Sequence, residues 1–417
     1  QRGIYDKALI VVLSDHGEGL GDHGEDEHGI FLYREAIQVP LMVKLPKARS
    51  AGETVRVPVQ LIDVFPTVLE QTDTGGRVRT PALHSRSLIS FLSEEGASRA
   101  IYSESYYPRF HFGWSDLHSL IDGDRHYIRA PIPELYDLAN DPAEKINTLE
   151  QNRRAYVRMR AAIEPFVREA SAPEAVDPEE AAKLAALGYV GSIVATQPGE
   201  ELPDPKTTID VHRQIRRAFG QFRNEKYGEA LALTNELLRE NENIIDLWDL
   251  KSQILTNLTR TDDAIEAAKE GLRRSPNAVG LIITVVNLSL LTGDVDQAEK
   301  HAELLAKHDP GKAHELMARV WSQRGDNDRA RREAQQALEL QSDPTRSLVI
   351  LGHIEKDEGN LERALAWFDR AAERKNDRVP KLHLYRGDVL ARLGRTEEAE
   401  REFRAEMALF PDQPDAY

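Results

Sequence analysis

The second half of this chain repeats itself, and that periodicity limits its fold more than any other feature of the sequence. Alanines recur at Ala230, Ala264, Ala298, Ala330, Ala364 and Ala399, at steps of 34, 34, 32, 34 and 35 residues. A glycine stands five residues before four of them, at Gly293, Gly325, Gly359 and Gly394, and Pro276, Pro310 and Pro344 lie 34 residues apart. A unit of that length holds two antiparallel helices. The glycine ends the first, the alanine lets the second approach closely, and the proline punctuates before the next. One such hairpin cannot bury its own apolar stripe, so neighbours must stack. The period predicts a solenoid of about six units over residues 211–417.

This pattern resembles the tetratricopeptide repeat. The resemblance implies a concave groove that binds a protein or peptide partner.

The chain has 417 residues, which sets an expectation of two to three domains. It carries 54 Lys+Arg against 70 Asp+Glu, a formal charge of -16. That balance argues against a general nucleic-acid binder, which needs a basic face, and disfavours adsorption to an anionic membrane. No window approaches 18 consecutive apolar residues, so no transmembrane helix is expected within this stretch. Cysteine is absent, so no thiolate site or disulfide lies within it. The chain opens on Gln1, close to an apolar strand, and stops at Tyr417 in what reads as the opening of another helix. The expectation is therefore a fragment of a longer protein.

Composition shifts near residues 150 and 210. The predicted organisation is a mixed α/β domain over 1–150, a helical segment and linker over 151–210, and the repeat array over 211–417. Ala8–Leu13 is a continuous apolar run, as expected of a strand covered on both faces, and residues 39–45 form a second strand. Residues 61–70 read as a helix, with Asp63 as its cap and Pro66 in its first turn. Asp122-Gly123 between two apolar-rich runs signals a hairpin, and residues 134–138 add a strand before the turn Asn140-Asp-Pro142. Asp177-Pro178-Glu179-Glu180 reads as the cap and first turn of another helix, with Gly188 as its stop, and residues 191–210 read as a linker.

The chemistry gathers where the first strand ends. Ser14 to Gly29 holds His16, His23 and His28 among several acids and glycines. In open α/β sheets, sites form beyond the carboxyl ends of strands. Carboxylate with imidazole suits a divalent cation of intermediate hardness, and glycines let backbone approach a tetrahedral anion. Asp15 and His16 are neighbours, so both reach one metal only if the chain has already left the strand there. The competing reading of this stretch is an acidic, solvated loop with turn glycines.

Ser14-Asp15-His16-Gly17-Glu18, then His28-Gly29, Leu32-Tyr33-Arg34-Glu35 and Val39-Pro40-Leu41, resemble the C-terminal portion of the sulfatase family, in the alkaline phosphatase superfamily. Asp63, Pro66 and Thr67 in the helix, and Glu134–Leu138 with Asn140-Asp-Pro142 and Glu144, extend the resemblance to residues 5–150. It implies an α/β fold with part of an alkaline-phosphatase-like sheet and a small antiparallel C-terminal sheet, followed by the all-α solenoid. It implies hydrolysis of sulfate esters, with an anionic ester as substrate. Asp15 and His16 match the family's late metal ligands. His28 matches its contact to the transferring oxygens, as catalytic and substrate-binding residue, with His23 as the runner-up. The metal implied is calcium, and a histidine ligand also admits manganese or zinc. The nucleophile, a formylglycine in most of the family, would lie upstream of Gln1, so these residues alone are expected to be inactive.

The pair Asp15-His16 departs from the Asp-Asn of many arylsulfatases. It is closer to phosphonate monoester hydrolases and phosphoethanolamine transferases, which keeps a phosphoryl or phosphonate substrate open. A third reading is a non-catalytic repeat scaffold carrying a remnant hydrolase domain. The family resemblance further implies an exported or membrane-tethered bacterial protein. The repeat array is expected to add a binding surface without completing the chemistry. Asp63 reads as a helix cap before a base, the run Glu25-Asp26-Glu27 as a solvated face, and His84, His111, His118 and His126 as histidines without a site role. His111 and Trp114 could line a cleft.

Overall fold

A computed structural model describes residues 3–72, 85–93, 99–168, 201–341, 343–375 and 379–410. The described residues fall into two compact units, 3–168 with 201–217 and 218–410. The predicted helix start at Asp177 and its stop at Gly188 lie outside the described residues, as do His84 and the last seven residues.

In the first unit, β1 (Ile10–Leu13) pairs antiparallel with β2 (Leu41–Lys44), with Ile10 opposite Lys44 and Leu13 opposite Leu41. The sequence predicts β1 as covered on both faces. Instead Val12 and Leu13 are 51% and 40% exposed, and Met42 is 61% exposed. The reason is that the ribbon has two strands among the described residues, so an apolar run suited to a central strand keeps an open side.

A short helix, α1 (Arg34–Ile37), precedes β2, and α2 (Val64–Thr72) follows it. The cap of the predicted helix is a reciprocal one. Gln60 is the N-cap, and Asp63 sits three residues on, its carboxylate accepting from the Gln60 amide at 2.8 Å. Asp63 is fully buried and also receives Arg99 and the Arg86 amide, so it ties α2 to its surroundings.

The second sheet is an antiparallel meander of β3 (Ile101–Ser105), β4 (Leu117–Asp122), β5 (Arg125–Arg129) and β6 (Glu134–Asp137) in that order. The Asp122-Gly123 hairpin forms as predicted, with Asp122 opposite Arg125 and Gly123 at φ 59°, where a side chain would be strained. A helical turn, α3 (Tyr107–Phe112), links β3 to β4. Alternation along the strands gives the sheet two working faces. Tyr102, Leu120, Tyr127 and Leu135 pack with Met159 and Ile163 of α4 (Arg153–Ile163). The other face bears Glu134, Tyr136 and His126 and receives residues 23–36: Tyr33 donates to Glu134 at 3.0 Å, and Ser105 Oγ donates to the Gly29 carbonyl.

A helix begins inside the stretch that composition marks as linker. Here α5 (Pro205–Arg223) starts where the Asp204 carboxylate accepts from the Lys206 amide at 2.9 Å. Its residues through Arg217 group with the first unit.

The second unit is the predicted run of helical hairpins. α6 (Tyr227–Glu240) is followed by the pairs α7 (Ile245–Asn257) and α8 (Thr261–Arg274), α9 (Val279–Thr292) and α10 (Val295–Leu305), α11 (Pro310–Gln323) and α12 (Asn327–Leu340), α13 (Thr345–Asp357) and α14 (Leu361–Lys375), and α15 (Leu382–Arg392) and α16 (Thr396–Leu409). The periodic alanines are buried in the second helix of each pair. Gly293, Gly325, Gly359 and Gly394 all take φ between 75° and 83°, the left-handed stop that glycine permits. In the earlier turns, Glu225 and Thr259 adopt φ of 60° and 58°. Close helix approach is visible at Gly352, where an added Cβ would lie 2.3 Å from the Phe368 ring.

Candidate active site at the end of the first strand

Past Leu13 the chain leaves the ribbon in a tight turn. Ser14 Oγ donates to the His16 carbonyl at 2.7 Å, and the Gly17 and Glu18 amides donate to the carbonyls of Ala36 and Glu35 at 2.8 and 3.0 Å. A Cβ on Gly17 would sit 1.9 Å from the Glu35 carbonyl oxygen, so only glycine lets the loop lie this close to α1.

This turn puts Asp15 and His16 on the same side. Asp15 Oδ2 lies 3.7 Å from His16 Nε2, and the Asp15 side chain is 82% exposed. The amide of Asp15 itself, and then the neighbouring His16, hold its carboxyl below the usual range, so it is a ready anionic donor. His16 Nδ1 lies 2.8 Å from the Gly17 carbonyl. A carbonyl only accepts, so Nδ1 carries a proton, and Nε2, beside Asp15, is the ring nitrogen that is left to serve as a ligand.

His28 joins them from twelve residues on. Its ring stacks on His16 with centroids 3.7 Å apart and planes at 25°, and its Nδ1 lies 3.3 Å from both carboxylate oxygens of Glu18. Three of the four residues singled out in the sequence, Asp15, His16 and His28, are thus neighbours, and Glu18 braces the third. Asp15 and His16 Nε2 are one oxygen and one nitrogen donor, which fits a divalent cation of intermediate hardness. Among the described residues no group of three or more His, Asp or Glu converges as a metal site, so the fit is in donor chemistry and covers two ligands.

His23 is engaged elsewhere. Its Nδ1 lies 2.5 Å from Glu35, its Nε2 donates to the Glu144 carbonyl at 3.0 Å, and its ring stacks on Tyr33 at 3.7 Å. With both nitrogens engaged in a largely buried position, it braces the loop. The acidic run is not a uniform solvated face either. Glu25 is buried, and its two oxygens accept from the Ile30 and Phe31 amides at 2.8 Å each. Burial pushes its carboxyl up, against the opposing pull of those amides.

Glu144 is the support that the sequence reading did not single out in this role. Its side chain is fully buried, its carboxylate meets His126 on one oxygen and the Arg34 amide (2.8 Å) on the other, and its carbonyl receives His23. Its role as a hub depends on partners 18 to 121 residues away. His118 bonds Tyr102 and Asp116, each at 2.7 Å. Burial raises the Asp116 carboxyl, but the bonds from His118 and Arg109 outweigh it and bring it down to about 2. Trp114 is buried and stacked on Phe112, so it belongs to the core rather than to a cleft.

Comparison with known proteins places these features. Residues 1–74 match the family model for Sulfatase, and residues 315–380 and 351–414 match that for Tetratricopeptide repeat. An N-acetylglucosamine-6-O-sulfatase from Bacteroides thetaiotaomicron is 32% identical over 159 residues, 35% of this chain and 27% of that protein. A multifunctional alkaline phosphatase superfamily protein from Trinickia caryophylli is 40% identical over 99 residues, 22% of this chain and 18% of that one. The solved structure of a tetratricopeptide repeat protein from Parabacteroides merdae matches 50% of this chain and 82% of its own at 15% identity, with a TM-score of 0.42. The chain spans less than a third of the length of the curated relatives it matches. It joins a sulfatase-family segment at its N-terminus to tetratricopeptide repeats in its C-terminal part.

Proposed function

We propose that residues 1–150 are the rear part of a metal-dependent sulfuric ester hydrolase and that the repeat array holds a protein or peptide partner. The observation that supports this most is the meeting of Asp15, His16 and His28 at the carboxyl end of β1. Asp15 and His16 Nε2 would hold the cation, calcium by family resemblance, with manganese or zinc admitted by the imidazole. When bound, the cation supplies positive charge against the anionic ester and its developing oxyanion. His28, braced by Glu18, carries its ring toward the same side and would contact the transferring oxygens. By family resemblance the nucleophile would come from a segment other than residues 1–150, and the chain on its own is expected to be inactive.

The test is hydrolysis of 4-nitrophenyl sulfate and 4-nitrophenyl phosphate by the natural protein. Asp15→Asn and His16→Ala are each expected to lower kcat/KM for the sulfate ester by about 100-fold or more. Unchanged turnover in both variants refutes the reading. The pair Asp15-His16 favours a second reading, a phosphoryl or phosphonate ester hydrolase, and preference for the phosphate ester would select it.

A further inference from the structure

The loop that delivers His28 is held by a helix far along the chain. One stripe of α5, Ile209, His212, Arg213 and Arg216, has the i, i+3, i+4, i+7 spacing of a single helical face. That face covers residues 24–27. Arg213 donates to the Gly24 carbonyl at 3.1 Å and stands 4.0 Å from Asp26, and Arg216 pairs with Glu27. Gly24 has φ 91°, and an added Cβ there would touch Ile209 and Arg213. His212 meets Phe112 edge-on at 5.4 Å.

The foot of the helix is fixed as well. Asp204 accepts from the Ile132 amide at 2.8 Å, Lys206 donates to the Ile132 carbonyl at 2.6 Å and pairs with Glu134 at 3.1 Å, and the Ser115 amide donates to the Pro203 carbonyl at 2.8 Å. The arginines are therefore presented from a seated helix. The loop they meet is folded on itself, the Gly19 amide donating to the Glu27 carbonyl at 2.6 Å and the Gly21 amide to that of Glu25 at 2.9 Å. One half-exposed ion pair does little for stability. Here two arginines of one helix take three of four consecutive loop residues, and the next residue in the chain is His28.

We propose that Arg213 and Arg216 are positioning residues that hold Gly24–Glu27 in the register in which His28 stacks on His16. Their importance for turnover rests on the hydrolase reading above; their hold on the loop does not. A truncation at residue 211 would remove both.

Hydrogen exchange of the full chain, read by mass spectrometry over residues 17–31, tests this. In the doubly substituted Arg213→Gln, Arg216→Gln chain, the Gly19 and Gly21 amides are expected to exchange about tenfold faster, with the β4 and β5 amides unchanged. Arg213→Lys with Arg216→Lys should restore most of the protection, because it returns the charge. Glu27→Gln approaches the same contact from the loop and should accelerate the same amides. Unchanged loop exchange in the double glutamine variant overturns the proposal. So does acceleration spread equally over β4 and β5, which would mean general loosening. Loop exchange that responds as expected, beside ester turnover indifferent to Asp15→Asn, sustains the positioning role and overturns the hydrolase reading instead.

Discussion

Replacing Glu144 by alanine should unseat the first unit while sparing the repeats. The carboxylate serves one half-buried group and one fully buried one. One is the Arg34 amide at 2.8 Å. The other is the His126 ring, which is fully buried and whose Nε2 has no partner among the described residues, so Glu144 supplies its hydrogen bond there. Each orphaned buried group costs about 1–3 kcal/mol, so the pair should cost about 4 kcal/mol. That is a large share of the roughly 5–15 kcal/mol that holds a domain together. With a urea slope of about 2 kcal/mol per molar, the midpoint should fall by about 2 M. The assay is a urea titration read by hydrogen exchange, following β4–β5 peptides and α9 peptides separately. The strand peptides should show the shift, and the α9 peptides should not. Glu144→Gln keeps an oxygen for the Arg34 amide and should cost about half as much. A strand midpoint within about 0.3 M of wild type in the alanine variant would refute the account of Glu144 as the hub beneath the loop.

Two further outcomes follow from packing and charge. Gly352→Ala places a Cβ 2.3 Å from a fully buried Phe368 ring, and it should destabilise the repeat unit by about 1–3 kcal/mol, seen as an earlier melt of α13–α14 peptides. Burial pushes the His212 imidazole down to about 4. Above pH of about 6.5 the ring is neutral both folded and unfolded; between there and pH 4 only the unfolded chain takes the proton, so stability should fall by about 3 kcal/mol as pH falls. His212→Phe should flatten that part of the urea-midpoint profile, and an unchanged slope would show the ring is not buried as described.

What the sequence showed depended on how local its cause was. The solenoid was legible because each hairpin repeats the same short-range rules: a left-handed glycine at Gly293 or Gly325, a small alanine at Ala298 or Ala330. The Asp122-Gly123 hairpin was legible for the same reason. Strand β3 was not, since Ile101–Ser105 is five mixed residues whose strand state comes from pairing with β4. At the candidate site, Asp15, His16 and His28 stood out by residue type and family resemblance. Glu25 hid within an acidic run, because its two amide partners are set by the fold of the loop. Glu144 and the α5 arginines act across more than a hundred positions, a distance over which spacing carries no signal.

The turns at Glu225 and Thr259 place side chains where the later turns of the array use glycine. A left-handed backbone costs a residue with a Cβ about 1 kcal/mol, and in a stack of units that touch only their neighbours such a penalty stays where it is incurred. Lys381, just before α15, carries the same strain at φ 64°, so the glycine turns between are the relaxed part and thermal fraying should start both from α6–α7 and from α15.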